Sequence, residues 1–291
     1  MKRFTSILLP LDGSPEAAKG AGCALWLAEA LGATLHVLHA AKQPLPGNEA
    51  LARLHVVGAK RPDVVVHQLL GKAEDAVLSA ITTYEINLVV MSARGESASV
   101  GLKQSCLLGT VAHAIIERSP VPVILLPIRY HEEIPWTSML AAASGDMAAD
   151  HALETAVRLA ASLRLKLTVL HVENGPGAAN SPLKTYADSP HYEYPSRMDE
   201  MVKRGLSGCT PEECSCIEQV LLRRGDPASV LLEQAALHAS AVLALGWHGV
   251  LEAGRALVFK RLLEEAKCPL LLVRKDERSS ARLKVGKEID E

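Results

Sequence analysis

The chain has 291 residues, of which 48% are apolar and only 3% aromatic, and its formal net charge is −2. This length suits two domains of about 145 residues better than one. The sequence contains no long basic block, so it does not predict binding to nucleic acid. The N-terminal apolar run ends at Pro10 and Asp12, too early for a signal peptide or a membrane span, so we expect a cytoplasmic protein with no membrane contact.

The first half, taken here as residues 1–129, alternates short apolar runs with helical patterns. We predict strands at residues 7–11, 34–40, 64–69, 88–91 and 121–126, and helices at residues 16–31, 48–59, 73–83 and 110–118. Ser14 and Pro15 suit the start of the first helix, and Gly32 suits its end. Strand-helix alternation of this kind predicts an α/β fold with a parallel sheet and right-handed crossovers.

The second half, taken here as residues 136–275, repeats the same order. We predict strands at residues 139–143, 166–172, 217–222, 242–245 and 270–273, and helices at residues 150–163 and 228–239. Landmarks recur in pairs, as in Leu38-His39 with Leu170-His171, and Gly95 with Gly249. A tandem duplication explains these pairs, and we place the boundary in the polar stretch 129–135.

Two segments fall outside the repeat. Residues 174–216 form a long insertion with a predicted helix at 196–204, and a connection of this length is either functional or mobile. The tail 276–291 is highly charged, and we expect it to be disordered. The insertion contains Cys209, Cys214 and Cys216. Their spacing differs from that of common zinc sites, so we expect reduced thiols or a redox-sensitive pair rather than a structural zinc site.

The chain resembles the tandem universal stress proteins over nearly its whole length. The resemblance rests on the sequence LPLDGS at residues 9–14, on the strand-ending His39 and His171, on GDP at residues 225–227, and on VPVI at residues 121–124. It implies two flavodoxin-like, Rossmann-like, doubly wound parallel sheets of order 3-2-1-4-5, joined through their last strands into an internal pseudo-dimer. Many members of the family bind ATP or AMP through glycines that precede a Gly-Ser or Gly-Thr pair.

Independently of the family, the first half has the residues that a phosphate site needs. Gly95 and Gly109 let backbone N–H groups approach a phosphate at the switch point between strands 1 and 4, and a helix starting at Thr110 would direct its positive end toward it. Asp12 could accept a hydrogen bond from ribose or adenine, or help to hold Mg²⁺. We predict that the nucleotide-binding residues are Pro10, Leu11, Asp12, Ala40, Met91, Ser92, Arg94, Gly95, Gly109, Thr110 and Val111. Taken singly, each of these residues is as readily explained by an ordinary turn or cap.

Both halves depart from the family pattern. In the first half, Ser92 replaces the first glycine, and thirteen residues rather than nine separate Gly95 from Gly109. In the second half, Ser144 stands in the place of Asp12, and we align Phe259-Lys260 with Gly109-Thr110. A phenylalanine in a glycine position would block close backbone approach. The sequence thus predicts a single nucleotide site, in the first half.

We expect a stress-response protein that binds ATP or AMP, with or without Mg²⁺, as a regulatory module and not as an enzyme, although slow ATP hydrolysis remains open. One alternative is a nucleotide-free scaffold that recognises a regulatory protein through residues 174–216. A second alternative, an ATP pyrophosphatase, requires a Ser-Gly-Gly start that residues 11–14 lack. Association of two tandem chains into a homodimer is also left open.

Overall fold

The computed structural model describes residues 4–40, 63–95, 107–131, 134–174, 194–251 and 255–274. The predicted helix at 48–59, most of the long loop after Gly95 and the charged tail lie outside these residues. So do residues 175–193 of the insertion.

The first half consists of parallel strands that alternate with helices. Its elements are β1 (Ser6–Pro10), α1 (Pro15–Ala18), α2 (Gly20–Leu31), β2 (Thr34–Ala40), β3 (Val64–Leu69), α3 (Ala73–Thr83), β4 (Leu88–Ser92), α4 (Thr110–Arg118) and β5 (Val123–Leu126). The single helix predicted at residues 16–31 is divided at Lys19 into α1 and α2.

The second half repeats this order, and two helices are described between its second and third strands. Its elements are β6 (Ser138–Ala142), α5 (Met147–Leu163), β7 (Lys166–Asn174), α6 (Tyr194–Gly205), α7 (Pro211–Cys214), β8 (Ile217–Gly225), α8 (Pro227–Leu237), β9 (Val242–Trp247), α9 (Leu257–Glu265) and β10 (Leu270–Arg274). The described part of the insertion is therefore folded. Its half-buried Met198 and Met201 pack against the core that includes α5.

All ten described strands belong to one sheet of order β3-β2-β1-β4-β5-β10-β9-β6-β7-β8. Each half therefore has the predicted order 3-2-1-4-5, and the second half runs in reverse across the sheet. The halves meet where β5 and β10 pair antiparallel, with Leu270 opposite Leu125 and Leu272 opposite Val123. This pairing confirms the predicted internal pseudo-dimer.

Aliphatic side chains cover both faces of the sheet. One core lies beneath α2 and α5 and includes Leu27 and Val157, and the other lies beneath α3, α4, α8 and α9 and includes Ile115 and Leu262. Each core contains residues from both halves, because the sheet is continuous across the pairing of β5 with β10. The strands bury both faces, as expected for parallel strands with helices on either side.

Candidate nucleotide-binding cleft

A cleft lies at the carboxyl ends of β1 and β4, where the strand order of the first half reverses. Open α/β sheets bind ligands at this position. The space between the walls of the cleft is about 630 Å³ when the solvent at its open mouth is included. All eleven residues of the predicted site line it. The lining also includes Ala17, Leu38, Ala73, Val77, Ala93 and Ala112, which sequence reasoning missed.

The missed residues are apolar, and they form walls of the cleft. Ala73 and Val77 belong to the first two turns of α3, which begins shortly after β3 ends. The start of a helix that follows a strand at the carboxyl edge of a parallel sheet is the signal that could have predicted them. We call the space lined by these seventeen residues the first-half cleft.

The geometry of Asp12 is fixed by its own turn. Its Oδ1 accepts hydrogen bonds from the backbone N of Ser14 at 2.9 Å and from the Ser14 hydroxyl at 2.6 Å. The Ser14 hydroxyl in turn accepts from the N–H of Ala17 and so caps α1. Gly13 takes a φ of 86°, in the left-handed region that favours glycine. The sequence DGS therefore orients the carboxylate and starts the helix in a single turn.

Gly95 lies directly against this carboxylate. A side-chain carbon at position 95 would overlap Oδ2 of Asp12, so only glycine lets the loop after β4 pass so close to the loop after β1. Gly109 is different, because a carbon added there would meet no described atom closer than the backbone N of Gly95, at 3.6 Å. Of the two glycines, Gly95 is therefore the one whose lack of a side chain is required by a contact within the protein.

The amino end of α4 lies at the wall of the cleft formed by Gly109, Thr110 and Val111. The N-cap residue of α4 is Gly109, which has no side chain to cap this end, whereas Asp146 caps α5 and Asp226 caps α8. The first N–H groups of a helix lack intrahelical acceptors and carry a partial positive charge. An anionic group in the cleft would meet this end of α4, and Arg94 adds a cation to the lining.

Ser92 replaces a glycine of the family pattern and has a clear structural role. Its hydroxyl donates to the carbonyl of Ala17 at 3.3 Å, which joins the end of β4 to α1. The second half has Gly246 in the equivalent register, and a side chain there would overlap the backbone of Ala148 and Ala149. The first turn of α5 therefore approaches its strand more closely than α1 can.

The second half carries the same turn with its two polar residues exchanged. Ser144, Gly145 and Asp146 stand where the first half has Asp12, Gly13 and Ser14, and Gly145 has a φ of 84°. Asp146 now caps the helix by accepting from the N–H of Ala149 at 2.9 Å, and the Ser144 hydroxyl donates to Asp146 at 2.6 Å. The carboxylate has moved from the end of the strand to the start of the helix.

Hydrogen bonds and a nearby histidine stabilise the ionised form of Asp146. Burial by itself would raise the pKa of Asp146, but hydrogen bonds from Ser144 and Ala149 and the nearby His248 lower it below its usual value. Arg204 of α6 donates to the carbonyl of Gly145 at 2.6 Å and to Asp150. The insertion thus packs onto the turn whose first-half counterpart lines the cleft.

The structure corrects the alignment of Phe259. The helices α4 and α9 have nine residues each, and their capping residues are Gly109 and Ala256. Ala256, with a φ of 55°, therefore occupies the place of Gly109, and Phe259 occupies that of Ala112. The alignment of Phe259-Lys260 with Gly109-Thr110 was wrong because the loops before the two helices differ in length.

Aromatic residues replace two small residues of the cleft lining. Trp247 and Phe259 stand at the positions of Ala93 and Ala112, both rings are buried, and their centroids are 4.9 Å apart. Where the first half has two methyl groups beside its cleft, the second half has two rings in contact. The predicted replacement of a glycine by Phe259 is therefore not found, and the second half differs from the first at two alanine positions instead.

Several other predicted features have structural explanations. His39 Nδ1 lies 2.9 Å from the carbonyl of Leu11, and His171 Nδ1 lies 2.7 Å from that of Ala143, so both histidines donate to equivalent turns.

Among the described residues, no His, Cys, Asp or Glu side chains form a group of three that could hold a metal ion. Within the same residues, no helix has both the length and the apolar character needed to cross a bilayer.

Comparisons with known proteins agree with this architecture. The sequence profile of the Universal stress protein family matches residues 3–57, 46–127 and 135–274. The chain belongs to the universal stress protein family. A relative from Thermus aquaticus, named "Universal stress protein in QAH/OAS sulfhydrylase 3'region", is 32% identical over 142 residues, which cover 98% of that relative and 42% of this chain.

Two solved structures share the whole tandem fold. A universal stress protein from Archaeoglobus fulgidus is 16% identical with a TM-score of 0.63, covering 95% of this chain and 98% of that one. A protein from Pseudomonas aeruginosa is 15% identical with a TM-score of 0.62, covering 98% of both chains. At these identities the likeness concerns the fold of the universal stress protein and not its ligands.

Proposed function

We propose that this universal stress protein is a regulatory module that binds one adenine nucleotide, ATP or AMP, in the first-half cleft. The observation that carries the proposal is the convergence of eleven residues from separate segments on one cleft at the reversal point of the sheet. These residues come from segments 10–12, 40, 91–95 and 109–111, which are separated along the chain. Only the fold brings them together.

The chemistry of the lining suits a nucleotide with phosphates. Leu11, Ala40, Met91 and Val77 offer apolar surface for a base, and Asp12 Oδ2 offers an acceptor for ribose or base donors. The uncapped amino end of α4 and Arg94 offer positive charge for the phosphates. Mg²⁺ bound with ATP would find one carboxylate, that of Asp12, in the described lining.

The same lining favours binding over catalysis. Among the described residues that line the cleft, Asp12 is the one carboxylate, and no histidine, cysteine or lysine accompanies it. General acid–base or nucleophilic chemistry needs such groups within hydrogen-bond reach of the reacting atoms. We therefore propose a role that depends on occupancy of the cleft and not on turnover.

The experiment is calorimetric titration of the whole chain with ATP and AMP, after native mass spectrometry of freshly purified protein. Wild type should bind one nucleotide per chain. Because a hydrogen bond to a charged group contributes about 1.5–3 kcal/mol, Asp12→Ala should weaken binding about ten- to a hundredfold. The matched control is Ser144→Ala in the corresponding turn of the second half, which should bind as wild type does.

Two results would contradict the proposal. A stoichiometry near two would show that the second half also binds nucleotide. Full affinity in Asp12→Ala together with loss of affinity in Ser144→Ala would show that the nucleotide binds to the second half and not to the first. If wild type bound neither nucleotide, the alternative of a nucleotide-free scaffold that recognises a protein partner would be favoured.

A further inference from the structure

The helix that forms the phosphate-facing wall of the first-half cleft is held at its other end by the second half. Helix α4 runs from Thr110 to Arg118, and its amino end lines the cleft. The last carbonyls of a helix lack partners within the helix. In α4, two of these carbonyls, those of Ile116 and Glu117, accept hydrogen bonds from residues of the second half.

Trp247 makes the first of these contacts. Its indole Nε1 donates to the carbonyl of Ile116 at 2.7 Å, and the bond is buried. The ring is fixed on its other side by Phe259. Because Trp247 ends β9, the position of the indole depends on the strand and loop arrangement of the second half.

Arg274 makes the second contact. Its guanidinium, at the end of β10, donates to the carbonyl of Glu117, and it lies beside Gly249. A cation at the carboxyl end of a helix stabilises the helix dipole, the same dipole whose positive end lies at the cleft. The Glu117 carboxylate completes the contact by accepting from the backbone N of Leu251 at 3.3 Å.

The first-half residues that correspond to Trp247 and Arg274 make no equivalent contacts to the carboxyl end of α9. The pseudo-twofold relation places Ala93 and Pro127 where the second half has Trp247 and Arg274. Neither residue has a side-chain donor that could reach the end of α9. The indole and guanidinium contacts therefore run from the second half to the helix of the cleft, and the two equivalent residues of the first half, Ala93 and Pro127, cannot return them.

We propose that Trp247 and Arg274 are positioning residues for the phosphate end of the first-half cleft, so that the second half sets the affinity of the first for nucleotide phosphates. The inference rests on the proposed function. The two side chains fix the axial position of α4 and strengthen its dipole from the carboxyl end. The amino end then meets the phosphates with its N–H groups already in place.

The test is titration with ATP, AMP and adenosine of wild type, Trp247→Phe and Arg274→Met. Trp247→Phe retains an aromatic ring against Phe259 but removes the donor. Each variant should bind ATP and AMP about three- to tenfold more weakly, as expected for a charge or donor at a helix terminus. Affinity for adenosine, which lacks phosphate, should not change.

Matched controls separate positioning from general damage. Trp26→Phe makes the same substitution in the opposite core, where Trp26 packs on Trp136 at 4.9 Å. Arg261→Met removes a cation of α9 that pairs with Asp226 and Glu265. Both controls should bind ATP as wild type does. Arg274→Lys keeps a cation at the end of α4 and should recover most of the affinity lost in Arg274→Met.

The outcomes are distinguishable. Unchanged ATP affinity in both Trp247→Phe and Arg274→Met, with wild type binding normally, would overturn the coupling and leave the proposed function intact. An equal loss for adenosine would show general damage and would also overturn it. Absence of nucleotide binding in wild type would refute the proposed function itself, and the coupling with it.

Discussion

The turn after the first strand is the same in both halves except for the order of two residues, and that order separates a cleft-lining carboxylate from a helix cap. Asp12 lines the cleft directly against Gly95, while Asp146 caps α5 and Ser144 takes the strand-end position. Local stability is conserved by the exchange, because each turn still has a side-chain cap. The position of a carboxylate can thus change while the fold stays constant.

The two halves also differ in how their helices meet the sheet. Ser92 links β4 to the short helix α1, and Lys19 separates α1 from α2. Gly246 instead lets the continuous helix α5 pack closely against β9. With Trp247 and Phe259 filling the place of two alanines, the second half is built for packing where the first is built around a cavity.

The largest expected effect concerns this packing. Phe259→Ala removes a buried ring that contacts Trp247, and such truncations cost about 3–5 kcal/mol of unfolding free energy. Truncation at the equivalent first-half position, Ala112→Gly, removes only a methyl group and should cost much less, about 1 kcal/mol of unfolding free energy. Urea unfolding followed by circular dichroism measures both. Similar costs for the two variants would show that the halves are equally packed.

The next effect concerns the close approach in the first-half cleft. Gly95→Ala would force Asp12 away from its position, so we expect nucleotide affinity to fall about tenfold or more, as for loss of a charged hydrogen bond. Ser144→Ala, in the corresponding turn of the second half, is the control and should keep near-wild-type affinity. Calorimetric titration with ATP checks both, and equal losses would contradict the assigned roles.

A smaller effect concerns the cysteines of the insertion, which have no counterpart in the described first half. Burial, followed by the influence of Cys214, raises the pKa of Cys209 to about 12, and burial likewise raises that of Cys216 to about 11. Because the thiolate is the nucleophile, alkylation by iodoacetamide at pH 8 should be at least about tenfold slower in folded than in urea-unfolded protein. Mass spectrometry of tryptic peptides measures the rates. Fast modification of native Cys209 would revive the redox-sensitive alternative.

Zinc provides a second test of the same cysteines. Protein purified without chelator should contain substoichiometric zinc, because the spacing of the three cysteines is not that of common zinc sites and they form no metal-ligand group of three among the described residues. Elemental analysis of wild type and Cys214→Ser decides the matter. One tightly held zinc per chain, lost in the variant, would contradict the expectation.

The smallest effect concerns pH. His36 and His67 stack with Tyr84 in the first half, with ring nitrogens of the histidines 2.9 Å apart, whereas Thr168 takes the place of His36 in the second. Burial lowers the pKa of His36, and burial together with His36 lowers that of His67. The folded state then binds fewer protons than the unfolded state, so stability should fall as pH drops below about 6.5.

The variant His67→Gln should reduce this loss of stability between pH 7 and pH 5. The effect should be small, because both histidines are only half-buried. Urea midpoints at the two pH values measure it, with His113→Gln on the exposed face of α4 as the control. A steeper pH dependence in His67→Gln than in wild type would contradict the direction of the pKa shifts.

The strand order could be predicted from the sequence because strand-helix alternation and the family resemblance constrain topology strongly. Eleven of the seventeen cleft residues could be predicted as well, since they lie at or after the ends of strands 1, 2 and 4 at one edge of the sheet. Whether they bind a nucleotide remains a prediction. Strand pairing between β5 and β10 was confirmed, as expected for two β-rich runs that each follow a proline.

The remainder depended on information that local patterns lack. Phe259 was misplaced because thirteen residues separate Gly95 from Gly109 while six separate Gly249 from Ala256. Counting forward from Gly95 and Gly249 therefore cannot align the two helices. The contact of Trp247 with Ile116 crosses 131 positions and follows no spacing rule. Contacts of this kind arise only from three-dimensional packing between halves.

The joint between β5 and β10 has a further consequence for how such a protein can diverge. In a dimer of identical subunits, a twofold interface must make every contact twice, so a large side chain needs room on both sides. Here Trp247 meets Ile116, and the symmetry-related pair is Ala93 and Leu263. Covalent linkage has freed each side of the joint from having to suit its own copy. It also fixes the ratio of the two halves at one to one at any dilution, so a signal between them needs no association step.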